Sequence, residues 1–389
     1  MRIHVYLREF PPTGDRLISG MIKAVHGLAA GFAHNGAHVT VLCDGPQSSV
    51  FESPDGYDIR CFAHTRAEGG NYSSLPRSLQ RYIDQSDDGG IYLLNGIFSP
   101  CVYQMSRACI RNGIPYIVAP HDPYHPSIFG TNRHLKWPYW YLRERPMLRQ
   151  ARAVQVLDFR HAEWLRALGV HTPVVEVVNG YAPEDVQPMD ILNWRTEGPP
   201  KLIYLGRIDS HNKGLDILLD AFAQITDRTD AQLTLQGPDW GDKQAMIRRA
   251  ERLNLTRRVT FRDPDFAREA TLISADHDVF LLPSRFEGFG LSALEAMLAG
   301  RVVMVSDVAG IAPHVRASGC GLVVSADTMH VKSGLLELLS MRSRWKEMGL
   351  AGREYALNHL KWERIAARTI DNYRSMLHQH PAPTAAAAV

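Results

Sequence analysis

The sequence predicts an α/β protein made of two doubly wound, mostly parallel-sheet domains in tandem. Three observations carry this expectation. The chain has 389 residues, more than a single hydrophobic core usually organises. In both halves, short apolar runs alternate with stretches of helical apolar spacing, the pattern of a parallel sheet covered on both faces. Between the halves, a turn-rich stretch without apolar periodicity runs from Asn179 and Gly180 to Pro199 and Pro200.

The elements follow in order. Residues 3–7 form the first expected strand. Met21, Ile22, Val25, Leu28, Ala29 and Phe32 then share one helix face. Asn35 and Gly36 close that helix, since both tolerate a left-handed cap. Residues 39–42, 91–94 and 116–119 are the next strands of the first half. The second half repeats the rhythm with apolar runs at 202–205, 233–235, 259–261, 279–282, 302–305 and 322–324. From Lys361 and Trp362 to Tyr373 and Leu377 the spacing is again helical, and beyond Pro381 a small-residue tail has nothing to bury and is expected to be disordered.

Composition narrows the class. Hydrophobic content of 45% and charged content of 22% fit a globular enzyme. A net charge of +2 argues against a nucleic-acid binder. The five cysteines, Cys43, Cys61, Cys101, Cys109 and Cys320, show no CxxC pair and read as reduced thiols. Neither a leader nor a membrane span is evident in the sequence, so a cytoplasmic protein is expected, with any membrane contact peripheral. Seventeen histidines include no HExxH pattern.

The stretch Ser284-Arg285-Phe286-Glu287-Gly288-Phe289-Gly290-Leu291-Ser292-Ala293-Leu294-Glu295 is the most informative. A glycine-rich turn joins a strand to a helix start, where backbone N–H groups and the helix dipole favour phosphate. A carboxylate on each side adds acceptors for hydroxyls. In Tyr204-Leu205-Gly206-Arg207-Ile208-Asp209, followed by Lys213-Gly214, a strand ends at Gly206 and two cations occupy the next turn. Fixed cations there stabilise charge developing on a departing phosphate. Standing alone, such a pair is more often merely solvated.

Together these motifs resemble retaining glycosyltransferases of family four, with their Glu, seven residues, Glu signature. The resemblance implies the GT-B fold, two Rossmann-like domains facing across a cleft, and a C-terminal helix crossing back to the N-terminal domain. It implies an acceptor-binding domain at 1–180, a linker at 181–200, a nucleotide-sugar-binding domain at 201–358, a crossover helix at 359–378 and a tail at 379–389. Arg207 and Lys213 match the diphosphate-binding pair. Glu287 matches the carboxylate that meets the donor sugar. Glu295 matches the ribose ligand, although Ser292 and Glu295 also form a capping-box pattern. Phe289, Gly290 and Leu291 would offer backbone N–H groups to phosphate, with Gly288 and Gly290 admitting the ligand. Gly237 and Pro238 resemble a loop lining the nucleotide site. Arg262 belongs to the segment that reads the base, and Asp263 stands there where glycine is common in the family.

In the first half, His121 resembles the strand-end histidine beneath the donor sugar, and His125 is a further candidate. The loop through Pro11, Pro12, Thr13 and Gly14 to Ser19 and Gly20 takes the place of a glycine pair on the acceptor side; Gly20 matches and Ser19 replaces the other glycine. Asp263-Pro264-Asp265 has the spacing of the metal-binding pair of GT-A enzymes, read here as coincidence because Arg207 and Lys213 serve that role. The basic, aromatic run from Arg133 through Trp137, Pro138, Trp140 and Tyr141 to Arg143 suits either a lipid headgroup region or a helix burying its aromatics.

The activity implied is a retaining, metal-independent transfer of a hexose from a nucleotide-diphosphate sugar, a co-substrate rather than a cofactor, to a saccharide or lipid-linked acceptor. A GT-B-fold epimerase and a non-catalytic binding subunit are the alternatives. A nicotinamide-dependent dehydrogenase lacks its GxGxxG turn.

Overall fold

A computed structural model describes residues 1–11, 19–63, 74–86, 89–130 and 132–379. Pro12, Thr13 and Gly14 of the first loop and the tail from residue 380 lie outside these residues. The chain divides into two compact units, Met1–Gly180 with the segment from Trp362 onward, and Tyr181–Lys361.

The first unit holds an eight-stranded sheet. Its strands are β1 (Arg2–Tyr6), β2 (His38–Gly45), β3 (Ser49–Glu52), β4 (Asp58–Ala63), β5 (Ile91–Asn95), β6 (Tyr116–Ala119), β7 (Ala153–Val156) and β8 (Val174–Glu176), in the order 3-4-2-1-5-6-7-8. All neighbours are parallel except β3, which runs antiparallel to β4 at the edge. Every residue of β5, β6 and β7 is buried, as a sheet covered on both faces requires.

Ser19 starts the first helix, Gly20–His34, by accepting the N–H of Ile22 on its hydroxyl at 3.2 Å. Gly27 and Gly31 leave that helix a flat strip for the final helix, Trp362–Gln379. A Cβ on Gly27 would lie 2.1 Å from Nε1 of Trp362. The Nδ2 of Asn35 donates to the carbonyl of Glu363 at 2.8 Å. The last helix therefore belongs to the first unit, as the GT-B resemblance implies.

The basic aromatic run is partly buried and partly exposed. It forms the helix Arg133–Tyr139, a wide π turn Trp140–Glu144 and the helix Arg145–Gln150. Pro138 lacks the N–H that a regular turn needs, and the wider turn follows it directly. Trp140 is buried and Trp137 stacks on Phe129, whereas Leu135, Tyr141 and Leu142 are 62%, 57% and 70% exposed.

The second unit holds six parallel strands: β9 (Lys201–Leu205), β10 (Gln232–Gln236), β11 (Val259–Arg262), β12 (Val279–Leu282), β13 (Val302–Ser306) and β14 (Gly321–Val324). Their order is 11-10-9-12-13-14. Residues 181–200 pack on this unit through Trp194, whose indole N–H donates to the Gly300 carbonyl at 2.9 Å. Among the described residues no helix is long and apolar enough to cross a membrane.

Candidate active site

Strand order decides where a ligand fits the second unit. The chain winds from β9 outward to β10 and β11, then returns to place β12 on the other side of β9. Loops leaving the carboxyl ends of β9 and β12 therefore diverge at a switch point, the usual ligand position in such sheets. The first loop carries Arg207 and Lys213, and the second carries Glu287.

The two loops are fastened to each other. Lys213 Nζ lies 2.6 Å from Glu287 Oε2, and the Ser284 hydroxyl donates to the same oxygen at 3.2 Å. The carbonyl of Asn212 accepts the N–H groups of Arg285 and Phe286. The Arg285 guanidinium grips Asp216 through two bonds of 2.7 and 2.8 Å. Asp209 caps the short turn Ser210–Lys213 through the Asn212 N–H at 3.0 Å. Gly214 has φ +64, and a Cβ there would meet the Pro283 carbonyl at 2.1 Å. No side chain fits where these loops touch.

The next loop joins them on the β10 side. Gly206 and Gly237 end β9 and β10 in backbone contact, such that a Cβ on Gly237 would lie 1.9 Å from the Gly206 carbonyl oxygen. Pro238 accepts the Ile208 N–H at 2.8 Å. Arg207 is exposed, with its guanidinium over the Trp240 ring at 4.9 Å. Arg262 ends β11, and Asp263 beyond it pairs with Lys243 at 2.6 Å. Asp265 caps the Ala267 N–H at 3.1 Å. Asp263 thus reaches the helix after β10 while Asp265 is engaged within its own loop, and no group of three possible metal ligands gathers among the described residues.

Gly288 and Phe289 are buried, and the helix Leu291–Leu298 begins at once after Gly290, whose φ of +103 suits glycine alone. This corrects the capping-box reading. Ser292 lies inside the helix because the left-handed Gly290 turns the chain two residues earlier, and Glu295 sits one turn in, half-buried. The first N–H groups of this helix lack intrahelical acceptors and follow directly on the Glu287 turn.

In the first unit, the switch point lies between β1 and β5. Ser19 and Gly20 open the helix that follows β1, where the Ser19 hydroxyl serves as N-cap. His121 follows β6 with φ +64, an uncommon backbone for a residue with a Cβ. Its Nε2 is 2.7 Å from Asn95 Oδ1. Asn95 Nδ2 donates to the carbonyls of Tyr6 and Leu93, so its oxygen faces His121 and the Nε2 of the neutral imidazole carries the proton. Burial pushes His121 down to about 4, leaving it uncharged at neutral pH with Nδ1 as an acceptor. It lines a small recess with Asp122, Tyr124, Gln155, Leu157 and His161. His125 packs edge-on against Trp164.

Asn95, Trp240 and Arg285 escaped the sequence reading. Asn95 was visible as an Asn-Gly strand end, and Trp240 as an aromatic two residues past Gly237-Pro238. Nothing local marked the Arg285–Asp216 clamp.

The family models that match this chain are glycosyl transferases group 1, over residues 199–341, and glycosyl transferase 4-like domain, over residues 19–180. Residues 199–341 belong to the group 1 glycosyl transferases. It is 31% identical over 188 residues to D-inositol 3-phosphate glycosyltransferase of Nocardia farcinica, covering 46% of this chain and 41% of that protein. It is 27% identical over 233 residues to phosphatidyl-myo-inositol mannosyltransferase of Mycobacterium tuberculosis, covering 57% and 59%. The matched segments thus span about half the length of these curated relatives. Among solved structures, sucrose-phosphate synthase from Thermosynechococcus elongatus superposes with a TM-score of 0.74 at 22% identity, over 97% of this chain and all of that one. Anabaena Alr3699/HepE in complex with UDP and glucose superposes at 0.71 and 16% identity, over 96% and 100%. The fold is GT-B.

Proposed function

We propose that the chain is a retaining, metal-independent glycosyltransferase moving a hexose from a nucleotide-diphosphate donor to a hydroxyl of a saccharide or lipid-linked acceptor. One observation carries the reading: the Lys213 cation after β9 and the Glu287 carboxylate after β12 meet at the switch point of the second unit, 2.6 Å apart.

In this reading residues 201–358 hold the donor and residues 1–180 the acceptor. Arg207 and Lys213 stabilise the charge that grows on the leaving diphosphate, a contribution of about 3 kcal/mol for each well-placed donor. The first N–H groups after Gly290 join them. Glu287 accepts hydroxyls of the donor sugar, and Glu295 those of the ribose. Gly237, Pro238 and Arg262 border the nucleotide. His121, neutral and held by Asn95, offers Nδ1 to a sugar hydroxyl, while Ser19 and Gly20 border the acceptor. The leaving phosphate takes the proton of the attacking hydroxyl on the same face, so the anomeric configuration is kept. HepE, with UDP and glucose bound in its structure, supports a uridine nucleotide as the first donor to try.

Peripheral membrane contact is part of the proposal. Leu135, Tyr141 and Leu142 stand exposed beside Arg133 and Arg143, a composition suited to an anionic headgroup layer. An acceptor in the membrane would then lie close at hand.

Thermal-shift titration with UDP-, GDP- and ADP-hexoses tests the reading, since ligand at a hundred times its dissociation constant adds about 2.7 kcal/mol. Stabilisation by one donor, followed by transfer only when an acceptor is present, supports it. Product from the donor alone points to an epimerase, and binding without turnover to a binding subunit.

A further inference from the structure

Trp240 is a large apolar side chain left 62% exposed, which calls for a reason. Its placement is built with care. The Ile208 N–H donates to the Pro238 carbonyl at 2.8 Å, and the Trp240 N–H returns to the Ile208 carbonyl at 3.2 Å. Asp239 shapes the loop by accepting the N–H groups of Gly241 at 2.8 Å and Lys243 at 3.1 Å. On the other side, the Tyr204 hydroxyl donates to the Arg207 carbonyl at 2.6 Å. Both backbones are pinned, and the side chains meet with the guanidinium 4.9 Å from the indole centre.

The neighbouring cations are held differently. Lys213 pairs with Glu287, Arg285 with Asp216 and Lys243 with Asp263. Arg207 has no carboxylate in ion-pair contact among the described residues. A carboxylate would orient the guanidinium but also occupy its donors and cancel its charge. An indole face attracts the cation through its quadrupole and leaves the outward N–H groups unspent.

We propose that Trp240 is a positioning residue: it holds Arg207 in place without neutralising it, so that a bound diphosphate meets the full charge. The inference rests on the donor-site reading above. Because the cation–π contact of an exposed pair is modest, its loss should weaken diphosphate binding about fivefold.

The test is a double-mutant cycle on the full chain, read by calorimetry with UDP, GDP, ADP and inorganic pyrophosphate. Trp240→Ala should weaken the nucleoside diphosphate that binds, and pyrophosphate as well, about fivefold; Trp240→Phe should restore most of the loss. Arg207→Ala should weaken binding further, and adding Trp240→Ala to it should change nothing more. Wild-type affinity in Trp240→Ala, or losses that multiply in the double variant, overturns the inference. A loss for nucleoside diphosphates without one for pyrophosphate also overturns it, because the indole would then be stacking on the base. If the wild-type protein binds none of the three nucleoside diphosphates, the donor-site reading itself fails; if it binds one and the cycle is multiplicative, only the role of Trp240 falls.

Discussion

Lys213 Nζ lies 2.6 Å from Glu287 Oε2, joining the loops that leave β9 and β12 on either side of the switch point. Both side chains are mostly shielded from water, with 14% and 13% exposed, so the pair is stronger than an ordinary surface bridge. It also holds a cation beside the acceptor that would meet the donor sugar.

Lys213→Ala should lower kcat by roughly two orders of magnitude. It should also cost some stability, because Glu287 keeps only the Ser284 hydroxyl. Glu287→Gln acts in the opposite sense on binding. The amide oxygen still accepts from Lys213, but its negative charge is gone, so nucleoside diphosphates bind more tightly while transfer slows. Steady-state kinetics and calorimetry check the two effects. Unchanged kcat in Lys213→Ala, with the protein folded, removes Lys213 from the catalytic assignment.

Glu144 predicts a pH dependence of stability in the first unit. Its Oε1 accepts the Phe98 N–H at 2.9 Å and the Tyr124 hydroxyl at 2.7 Å, and Oε2 has no hydrogen-bond partner among the described residues. Burial raises its carboxyl to about 7, whereas the unfolded group titrates near 4.3. The folded state holds the proton more tightly, so this contribution is complete below the unfolded value and disappears as pH rises through 7. The loss is on the order of 3–4 kcal/mol by pH 8. His121 and His161, both pushed down to about 4 chiefly by burial, slope the other way and cost stability as pH falls from 6.5 through 4. Glu144→Gln keeps the acceptor oxygen and removes the ionisation. Its melting temperature should match the wild type near pH 4 and exceed it increasingly up to pH 8. Equal melting temperatures at both pH values would defeat the assignment.

What the sequence made legible follows from the physics of each element. All six strands of the second unit appear as apolar runs; the inner ones do so because their neighbours bury them, with Val279 to Leu282 the plainest case, whereas the edge strands β11 and β14 are only partly buried. β3 and β4 escaped because Ser49–Glu52 is a half-exposed edge strand and Asp58 and Arg60 break the apolar run of β4. β7 escaped because Gln155 interrupts it, a polar residue buried there to accept the Tyr373 hydroxyl from the final helix. In the site, Arg207, Lys213 and Glu287 were legible because glycine-rich turns mark strand ends. Asn95 and Trp240 act through contacts made only in the fold. The capping box misled because Ser292 and Glu295 have the right spacing, yet Gly290 starts the helix earlier.

Gly237 tests the close contact between the loops after β9 and β10. A methyl group there would lie 1.9 Å from the Gly206 carbonyl oxygen, and its φ of +150 is itself unfavourable for alanine. The neighbour is backbone, so neither side can yield cheaply. Gly237→Ala should destabilise the second unit by about 1–3 kcal/mol and weaken nucleoside diphosphate binding by shifting Arg207. Gly241→Ala, also at positive φ but with nothing within 4 Å of its Cβ, separates steric contact from backbone strain. Equal effects in the two variants would show that the loop contact contributes nothing of its own.

The exposed stripe of the segment from Arg133 to Gln150 predicts a measurable affinity for anionic membranes. Leu135 and Leu142 lie seven residues apart on a nearly continuous helical path, with Pro138 and Tyr141 exposed between them and Arg133, Arg143 and Arg149 exposed around them. Apolar side chains gain from leaving water, and the arginines gain from negative headgroups. Neither term is large alone. Co-sedimentation should therefore show binding to vesicles containing phosphatidylglycerol, little to pure phosphatidylcholine, and release as salt is raised. Leu135→Glu with Leu142→Glu removes two apolar contacts and adds two repelling charges, and should cut binding by roughly tenfold or more. Because both side chains point to solvent, the melting temperature should hold. Turnover of a water-soluble acceptor should also hold, whereas turnover of a vesicle-borne one should fall. Equal sedimentation with neutral and anionic vesicles, or full binding by the double variant, would return this stripe to the ordinary solvent-exposed surface.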